Sequence, residues 1–208
     1  MIGSNSFLIA EDELTLVDCG HVGSIRLLRG QLARIGRDIH EITRIVCTHG
    51  HPDHIGGAHE IAHATGAPVH MHPADEERLR IRFRDVFSGR PAPGAIVAYL
   101  TPLPKHVVPV DEGTVIPVIG GLRVIHTPGH TPGSICLYSP ERRVVIVGDI
   151  LQRRRGELAF PNHVWSDDMG LARQSIARIA ELDVDTILFS HFPALHEGAQ
   201  DALRRLAS

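Results

Sequence analysis

Cysteine is scarce in this chain of 208 residues, which contains only Cys19, Cys47 and Cys136. Each of them lies inside an apolar run, their number is odd, and no C-x-x-C pair occurs, so the pattern does not fit a disulfide framework. We therefore predict three small, buried, free thiols on strands and a cytoplasmic location for the protein.

The chain also lacks an excess of basic residues and a long apolar run, and we expect no signal peptide. Its formal net charge is −3, so no broad positive field attracts nucleic acid or anionic lipid. No apolar run reaches the roughly 18 residues of a membrane span, and the amino terminus has no basic region before its apolar stretch ends at Glu11. We expect a small-molecule substrate as the partner, and no nucleic acid or membrane; the sequence carries no signal for an oligomeric state.

Histidine, by contrast, is abundant, with 15 in the chain. Histidine is the most common metal ligand and titrates near neutral pH, so this number is the first functional indication. Hydrophobic residues make up 43% of the chain and charged residues 22%, as in ordinary globular proteins. A chain of this length is expected to form a single domain that spans residues 1–208.

Short apolar segments rich in β-branched residues alternate with segments of helical periodicity. The predicted strands are Ser6–Ala10, Leu14–Val17, Arg44–Thr48, Pro68–Met71, Val107–Val110, Val115–Val118, Leu122–His126, Ser134–Ser139, Val144–Val147 and Thr186–Ser190. The predicted helices are Ser24–Ile35, Gly57–Thr65, Pro73–Phe87, Asp168–Glu181 and Glu197–Leu206. Strand-rich runs with interspersed helices predict an α/β or α+β layered domain, with two sheets covered by helices.

Two loops are expected to shape a pocket and to influence the choice of substrate. Ser88–Lys105 is rich in proline and glycine and is longer than most connections, which favours a flap or a pocket wall. Leu151–Trp165 is the second predicted loop. Several side chains in loops are candidates to border the pocket, with an ordinary surface or packing role as the alternative: His21, Tyr99, Arg153–Arg155, His163 and Trp165.

One segment carries most of the chemistry, because Thr48–Gly57 contains the pattern H-x-H-x-D-H directly after an apolar strand. Alternate residues of an extended segment point to the same side, so His49, His51 and Asp53 are expected to converge. Pro52 keeps the preceding residue out of the helical region and is expected to hold the segment open. Three imidazoles and a carboxylate suit zinc, or manganese and iron with weaker binding. A solvated histidine-rich loop is the alternative interpretation.

Further residues of the same types stand at four other places in the chain. His130 lies between two Pro-Gly units in Thr127–Ser134, which restrict the backbone on both sides. Asp149 and His191 each end a predicted apolar strand, and so does Asp18. A single aspartate at a strand end is more often a turn former, but side chains fixed at several strand ends are what a preorganised metal centre requires.

Taken in order, these segments resemble the metallo-β-lactamase-fold hydrolase superfamily. The matching segments are Val17–Gly20, the H-x-H-x-D-H run, Thr127–Ser134, Gly148–Asp149 and Ser190–His191, with Cys19 where many relatives have Thr or Ser. The resemblance implies a four-layer αβ/βα sandwich, with two sheets face to face and helices outside. It also implies two metal ions, zinc in the first place and iron or manganese as possible replacements. The implied ligands are His49, His51 and His130 for the first ion and Asp53, His54 and His191 for the second, with Asp149 bridging both and Asp18 orienting a ligand.

The presence of Asp149 and the lack of a leader make the sequence more similar to the hydroxyacylglutathione hydrolase (glyoxalase II) and lactonase branches than to the exported zinc β-lactamases. The resemblance implies hydrolysis of a carboxylic thioester, ester or lactone by a hydroxide that bridges the two metal ions. Asp53 is the candidate catalytic residue of the set.

Two alternatives of other classes stay open. One is a persulfide-dioxygenase-like oxygenase on the same fold, in which a single iron is held by His49, His130 and Asp149. The other is a non-catalytic binding module stabilised by metal. A tRNA-processing nuclease shares the implied ligands, but the chain has no long basic arm to grip RNA. Metal content distinguishes the oxygenase from the dinuclear hydrolase, because the oxygenase needs one iron ion per chain and the hydrolase two zinc ions.

Overall fold

The structure is a computed structural model that describes residues 3–76 and 101–208. Its contacts divide the chain into two compact units, Met1–Pro109 and Val110–Ser208. Each unit has a five-stranded sheet and an apolar core of its own. This mixture of strands and helices is the predicted α/β class, whereas the assignment of residues 1–208 to a single domain stays a prediction.

The sheet of the first unit follows the chain order from edge to edge. Its strands are β1 (Phe7–Ala10), β2 (Leu14–Val17), β3 (Ile42–Val46), β4 (Val69–Met71) and β5 (Val107–Pro109). β1 pairs with β2 in the antiparallel direction, and every later pair is parallel. Parallel strands need a crossover between them, and the helices of this unit lie in those crossovers. All four residues of β2 are buried, as expected for a strand covered on both faces.

Within residues 3–76 and 101–109, the first unit has four α-helices, and the first three contribute aliphatic side chains to its apolar core. The four helices are α1 (Ile25–Arg34), α2 (Pro52–Ile55), α3 (Ala58–Thr65) and α4 (Pro73–Glu76), with a 3-10 turn at Ile39–Glu41. Leu32 of α1 and Ile61 of α3 share a buried core with Leu14 and Ile45 of the sheet. α4 is the described part of the helix predicted for 73–87. The rest of that helix, Tyr99 and residues 88–100 of the predicted flap lie outside the described residues.

The sheet of the second unit is antiparallel except at one edge. Its order is β12 (Thr186–Leu188), β9 (Val144–Ile146), β8 (Ile135–Ser139), β7 (Leu122–His126) and β6 (Val115–Ile116). β12 runs parallel to β9, and α5 (Met169–Ala180) lies in the crossover that joins them. α6 (Ala199–Ala207) follows β12, and Ile176 of α5 and Leu203 of α6 are fully buried in the core of this unit.

One segment predicted as a loop contains regular structure. β10 (Gln152–Arg154) and β11 (Glu157–Ala159) form an antiparallel hairpin within Leu151–Trp165. The loop prediction was wrong there because strands of only three residues are too short to show an alternation of apolar and polar positions. The turn of the hairpin uses Arg155 and Gly156, which both have positive φ angles.

The three cysteines are free and buried, as predicted from their apolar surroundings. Their predicted position on strands is right for Cys136 in β8 and wrong for Cys19 and Cys47, which lie just beyond the ends of β2 and β3. Burial raises the pKa of the Cys136 thiol to about 12. A hydrogen bond with Cys19, together with burial, raises the pKa of the Cys47 thiol. The thiols of Cys47 and Cys136 are therefore protonated and unreactive at neutral pH. In residues 3–76 and 101–208, no helix combines the length and the apolarity that crossing a bilayer requires.

Candidate metal centre

A buried carboxylate organises the start of the histidine-rich segment. Asp18 directly follows β2, and its backbone N–H donates to the Val46 carbonyl of the neighbouring strand over 2.9 Å. Its side chain is fully buried. The carboxylate accepts hydrogen bonds from the Thr48 N–H at 2.7 Å, from the Thr48 hydroxyl at 2.8 Å and from Nδ1 of His54 at 2.8 Å. Because the carboxylate accepts, Nδ1 of His54 carries a proton, and in the neutral ring Nε2 keeps the lone pair.

Thr48 extends the influence of this carboxylate to a second imidazole. Its hydroxyl donates to Asp18, and its oxygen lies 3.2 Å from Nδ1 of His49. A hydroxyl has one proton, so this oxygen accepts from Nδ1–H, and Nε2 of the neutral His49 ring keeps the lone pair. That Nε2 lies 3.1 Å from Nδ1 of His51. Two nitrogens bound to one tetrahedral zinc ion are separated by about 3.3 Å, so the spacing fits two ligands of a single ion.

The backbone after His51 differs from the predicted extended segment. His51 itself is extended, with φ −75° and ψ 147°, as the following proline requires. The next four residues form α2, so the prediction that Asp53 converges with His49 and His51 along a strand is wrong. Pro52 occupies the first helical turn, where its missing N–H costs no hydrogen bond. The helix brings Oδ2 of Asp53 to 3.6 Å from Nε2 of His54, and the rings of His49 and His54 are 3.9 Å apart between centroids.

The second unit contains a cluster of two histidines and one aspartate. His130 is buried in the turn between β7 and β8, as predicted. Asp149 and His191 lie three residues beyond the ends of β9 and β12. These parallel neighbours end at the same edge of the sheet. Oδ2 of Asp149 consequently lies 3.2 Å from Nε2 of His191 and 3.6 Å from Nε2 of His130. One carboxylate oxygen thus faces two imidazole nitrogens.

Both clusters contain donors that suit a transition metal. Ligand atoms of His49 lie within 4.8 Å of those of His51 and His54, and ligand atoms of Asp53 and His54 are equally close. Imidazole and carboxylate donors fit zinc, iron or manganese better than they fit calcium or magnesium, which prefer oxygen alone. These histidine and aspartate groups are therefore candidate metal-binding groups. The assignment of individual residues to two ions stays a prediction.

Sequence reasoning missed two side chains that hold the ligand segment in place. Thr48 carries no metal-binding signal, although its position directly before the first histidine is a hint. Asp75 lies in α4, 25 residues after Gly50, and nothing in the sequence connects the two. In the structure Asp75 is fully buried and accepts a hydrogen bond from the Gly50 N–H at 2.7 Å. Gly50 separates the two histidines of the H-x-H pair, so Asp75 fixes the backbone between them.

The loop after β2 lies in direct backbone contact with the segment that carries α2 and α3. The N–H of Cys19 donates to the His54 carbonyl at 2.6 Å, and the N–H of Gly57 donates to the Gly20 carbonyl at 3.1 Å. A Cβ atom at position 57 would overlap the carbonyl oxygen of Cys19. Glycine is needed here because only a residue without a side chain allows this approach.

Of the loop residues considered as pocket candidates, the described ones are exposed, apart from the half-buried Arg153. His21 is exposed and lines an apolar groove of about 760 Å³ in the first unit. His163 and Trp165 are also exposed. Arg153 donates to the Gly156 carbonyl within its own hairpin, at 2.9 Å. A substrate-binding role for these residues stays a prediction.

Comparison with known proteins identifies the class. Residues 2–191 match the model of the metallo-beta-lactamase superfamily, and the chain therefore belongs to this superfamily. The predicted fold class, the metallo-β-lactamase fold, is confirmed. Members of the superfamily are generally metal-dependent hydrolases.

Particular relatives agree with this class. The probable metallo-hydrolase YflN of Bacillus subtilis is 28% identical, over 93% of this chain and 81% of that protein. The metallo-beta-lactamase family protein TTHA1429 of Thermus thermophilus has a TM-score of 0.77 at 24% identity, over 98% of this chain and 73% of that one. The structure of TTHA1623 in a di-iron-bound form has a TM-score of 0.72 at 25% identity, over 96% of this chain and 93% of that one. The similarity to the hydroxyacylglutathione hydrolase branch stays a prediction.

Proposed function

We propose that this protein is a dinuclear metal-dependent hydrolase that cleaves a carboxylic thioester, ester or lactone of a small molecule. The observation that carries the proposal is the position of one Asp149 oxygen between Nε2 of His130 and Nε2 of His191. A carboxylate that faces two imidazole nitrogens is suited to bridging two ions. Zinc is the proposed metal, and the same donors accept iron or manganese. The cytoplasmic location inferred from the free cysteines is part of the proposal.

The proposal takes its ligands from the family resemblance. His49, His51 and His130 would hold the first ion, Asp53, His54 and His191 the second, and Asp149 both. Its support is that, within each unit, donor atoms lie 3.1–3.6 Å apart, close to the separation of about 3.3 Å between two ligands of one ion. A bound pair of ions supplies Lewis-acid polarisation of a carbonyl group and a water molecule of lowered pKa.

The protein's own residues orient the ligand imidazoles and transfer protons at the proposed site. Asp18 holds the Nδ1 proton of His54 directly and that of His49 through Thr48, so both rings offer Nε2. Asp53 has a carboxylate side chain that is 28% exposed, so we assign proton transfer during turnover to its oxygens. A thiolate or alkoxide leaves with less help from a general acid than an amine does, which is why thioesters, esters and lactones are the proposed substrates.

Elemental analysis combined with a small substrate panel tests this function. We expect about two metal ions per chain and hydrolysis of a thioester or a lactone in preference to a β-lactam. His130→Ala and Asp149→Ala should lose both metal and turnover, because each removes a proposed ligand. His63→Ala is the matched control, since His63 is exposed on α3 and alanine suits a helix.

Two results would contradict the proposal. One iron per chain together with oxygen consumption would favour the oxygenase alternative. Two tightly bound ions without turnover of any member of the panel would favour a non-catalytic metal-binding module.

A further inference from the structure

The loop that carries His130 is held firmly against the start of α5. The N–H of Asp168 donates to the Gly129 carbonyl at 2.9 Å, and the N–H of Asp167 donates to the His130 carbonyl at 3.1 Å. Gly129 has φ 135°, and a Cβ atom there would lie 2.5 Å from the Cα atom of Ala172 in α5. These contacts fix the backbone of residues 129–130 relative to residues 166–168.

In this arrangement Ser166 meets the His130 ring. Its hydroxyl oxygen lies 3.1 Å from Nδ1 of His130 and 2.8 Å from the carbonyl oxygen of Asn162. The same carbonyl accepts the N–H of Trp165 at 3.1 Å, so Asn162 and Ser166 belong to one tight turn. A carbonyl oxygen only accepts, and a hydroxyl has one proton, so Ser166 donates to Asn162. Its oxygen is then left to accept from Nδ1–H of His130.

We propose that Ser166 is a positioning residue that holds His130 in the tautomer with the proton on Nδ1, so that Nε2 offers its lone pair to a metal ion. The inference rests on the proposed function because it takes His130 as a ligand. The hydrogen bond at one ring nitrogen decides which tautomer a histidine adopts. Without Ser166 the neutral ring also populates the form with the proton on Nε2, and that form cannot bind a metal through Nε2.

Three serine variants and one matched control test the inference in the full-length protein. Ser166→Ala removes the hydroxyl, and Ser166→Thr with Ser166→Val forms an isosteric pair that differs only in the hydroxyl. The control is Ser175→Ala, because the Ser175 hydroxyl donates to the Pro128 carbonyl at 2.7 Å and supports the same loop without serving the ring. The readouts are the ¹⁵N chemical shifts of the His130 ring in metal-free protein and the affinity for Zn²⁺ alone, measured by competition with a chromophoric chelator.

We expect Ser166→Ala and Ser166→Val to show mixed tautomers of His130 and to bind Zn²⁺ about 10–100-fold more weakly, the usual effect of losing a hydrogen bond to a ligand histidine. Ser166→Thr and Ser175→Ala should keep the Nδ1–H tautomer and near-normal affinity. An unchanged tautomer in Ser166→Ala and Ser166→Val would refute the inference and leave the proposed function untouched. Normal Zn²⁺ binding by His130→Ala would instead refute the ligand assignment and, with it, the proposed function.

Discussion

Replacement of Asp18 by asparagine tests how one buried carboxylate orients two imidazoles. Asparagine keeps the shape of the side chain and one acceptor oxygen, and it tolerates the φ of 56° at this position. Its amide nitrogen, however, is a donor and replaces one of the two carboxylate oxygens. It therefore faces another donor, either Nδ1 of His54 or the N–H of Thr48. If the amide nitrogen faces His54, the proton of the neutral ring moves to Nε2, the atom that the proposed centre needs.

The size of the effect follows from the contacts of Asp18. In the asparagine variant one buried polar contact is poorly matched, so we expect the free energy of unfolding to fall by about 1–3 kcal/mol. Asp18→Ala removes the acceptor for three donors and places alanine in the left-handed region, for a combined loss of about 4–6 kcal/mol. That is a large share of the roughly 5–15 kcal/mol that stabilises a typical domain. The asparagine variant should therefore fold, whereas the alanine variant should be only marginally stable.

Urea denaturation of the metal-free chain and Zn²⁺ competition measure the two effects separately. We expect Asp18→Asn to bind Zn²⁺ about 10–100-fold more weakly. Asp38→Asn is the control, because Asp38 is exposed and caps the 3-10 turn through the His40 N–H, a role that asparagine performs equally well. Wild-type Zn²⁺ affinity in Asp18→Asn, despite a loss of stability, would refute the idea that Asp18 orients metal ligands.

Three further predictions concern stability, and urea midpoints measure all of them. Gly57→Ala should lower the free energy of unfolding by about 1–3 kcal/mol because its methyl group meets the Cys19 carbonyl. The control Gly30→Ala, in open space within α1, should raise it by up to about 1 kcal/mol, and equal effects of the two changes would contradict the close approach at position 57. Burial raises the pKa of Cys136 to about 12, so its contribution to the free energy of unfolding is complete below the unfolded pKa of about 8.5 and is lost as the pH rises towards 12. Cys136→Ala should flatten the fall of the free energy of unfolding with pH in this range, and an unchanged slope would argue against the buried thiol as its cause. Asp168→Ala should cost about 1 kcal/mol because Asp168 caps α5 through two backbone N–H groups, while Asp168→Asn should be close to neutral; a similar loss in both would show that the charge matters more than the cap.

Much of the fold was accessible from the sequence because strands and helices have local signals. The apolar runs predicted most strands within one or two residues, and Gly66 ends α3 in the left-handed conformation that glycine favours. The β10–β11 hairpin escaped detection because its strands are only three residues long. α2 escaped because the pattern H-x-H-x-D was interpreted as extended throughout, although Pro52 is also a residue that starts helices.

The residue types of the candidate ligands and their positions along the chain are evident from the amino-acid sequence, because H-x-H-x-D-H and the strand-end residues are local patterns. The hydrogen bonds that hold individual ring nitrogens become visible only in the folded chain. Asp75 reaches Gly50 across 25 residues, and Ser166 reaches His130 across 36. Such pairs form because the crossovers and turns of each unit bring distant backbone segments together, and no spacing in the sequence encodes that proximity. The orientation of each imidazole is therefore a property of the folded chain, set by neighbours whose residue types carry no signal of their own.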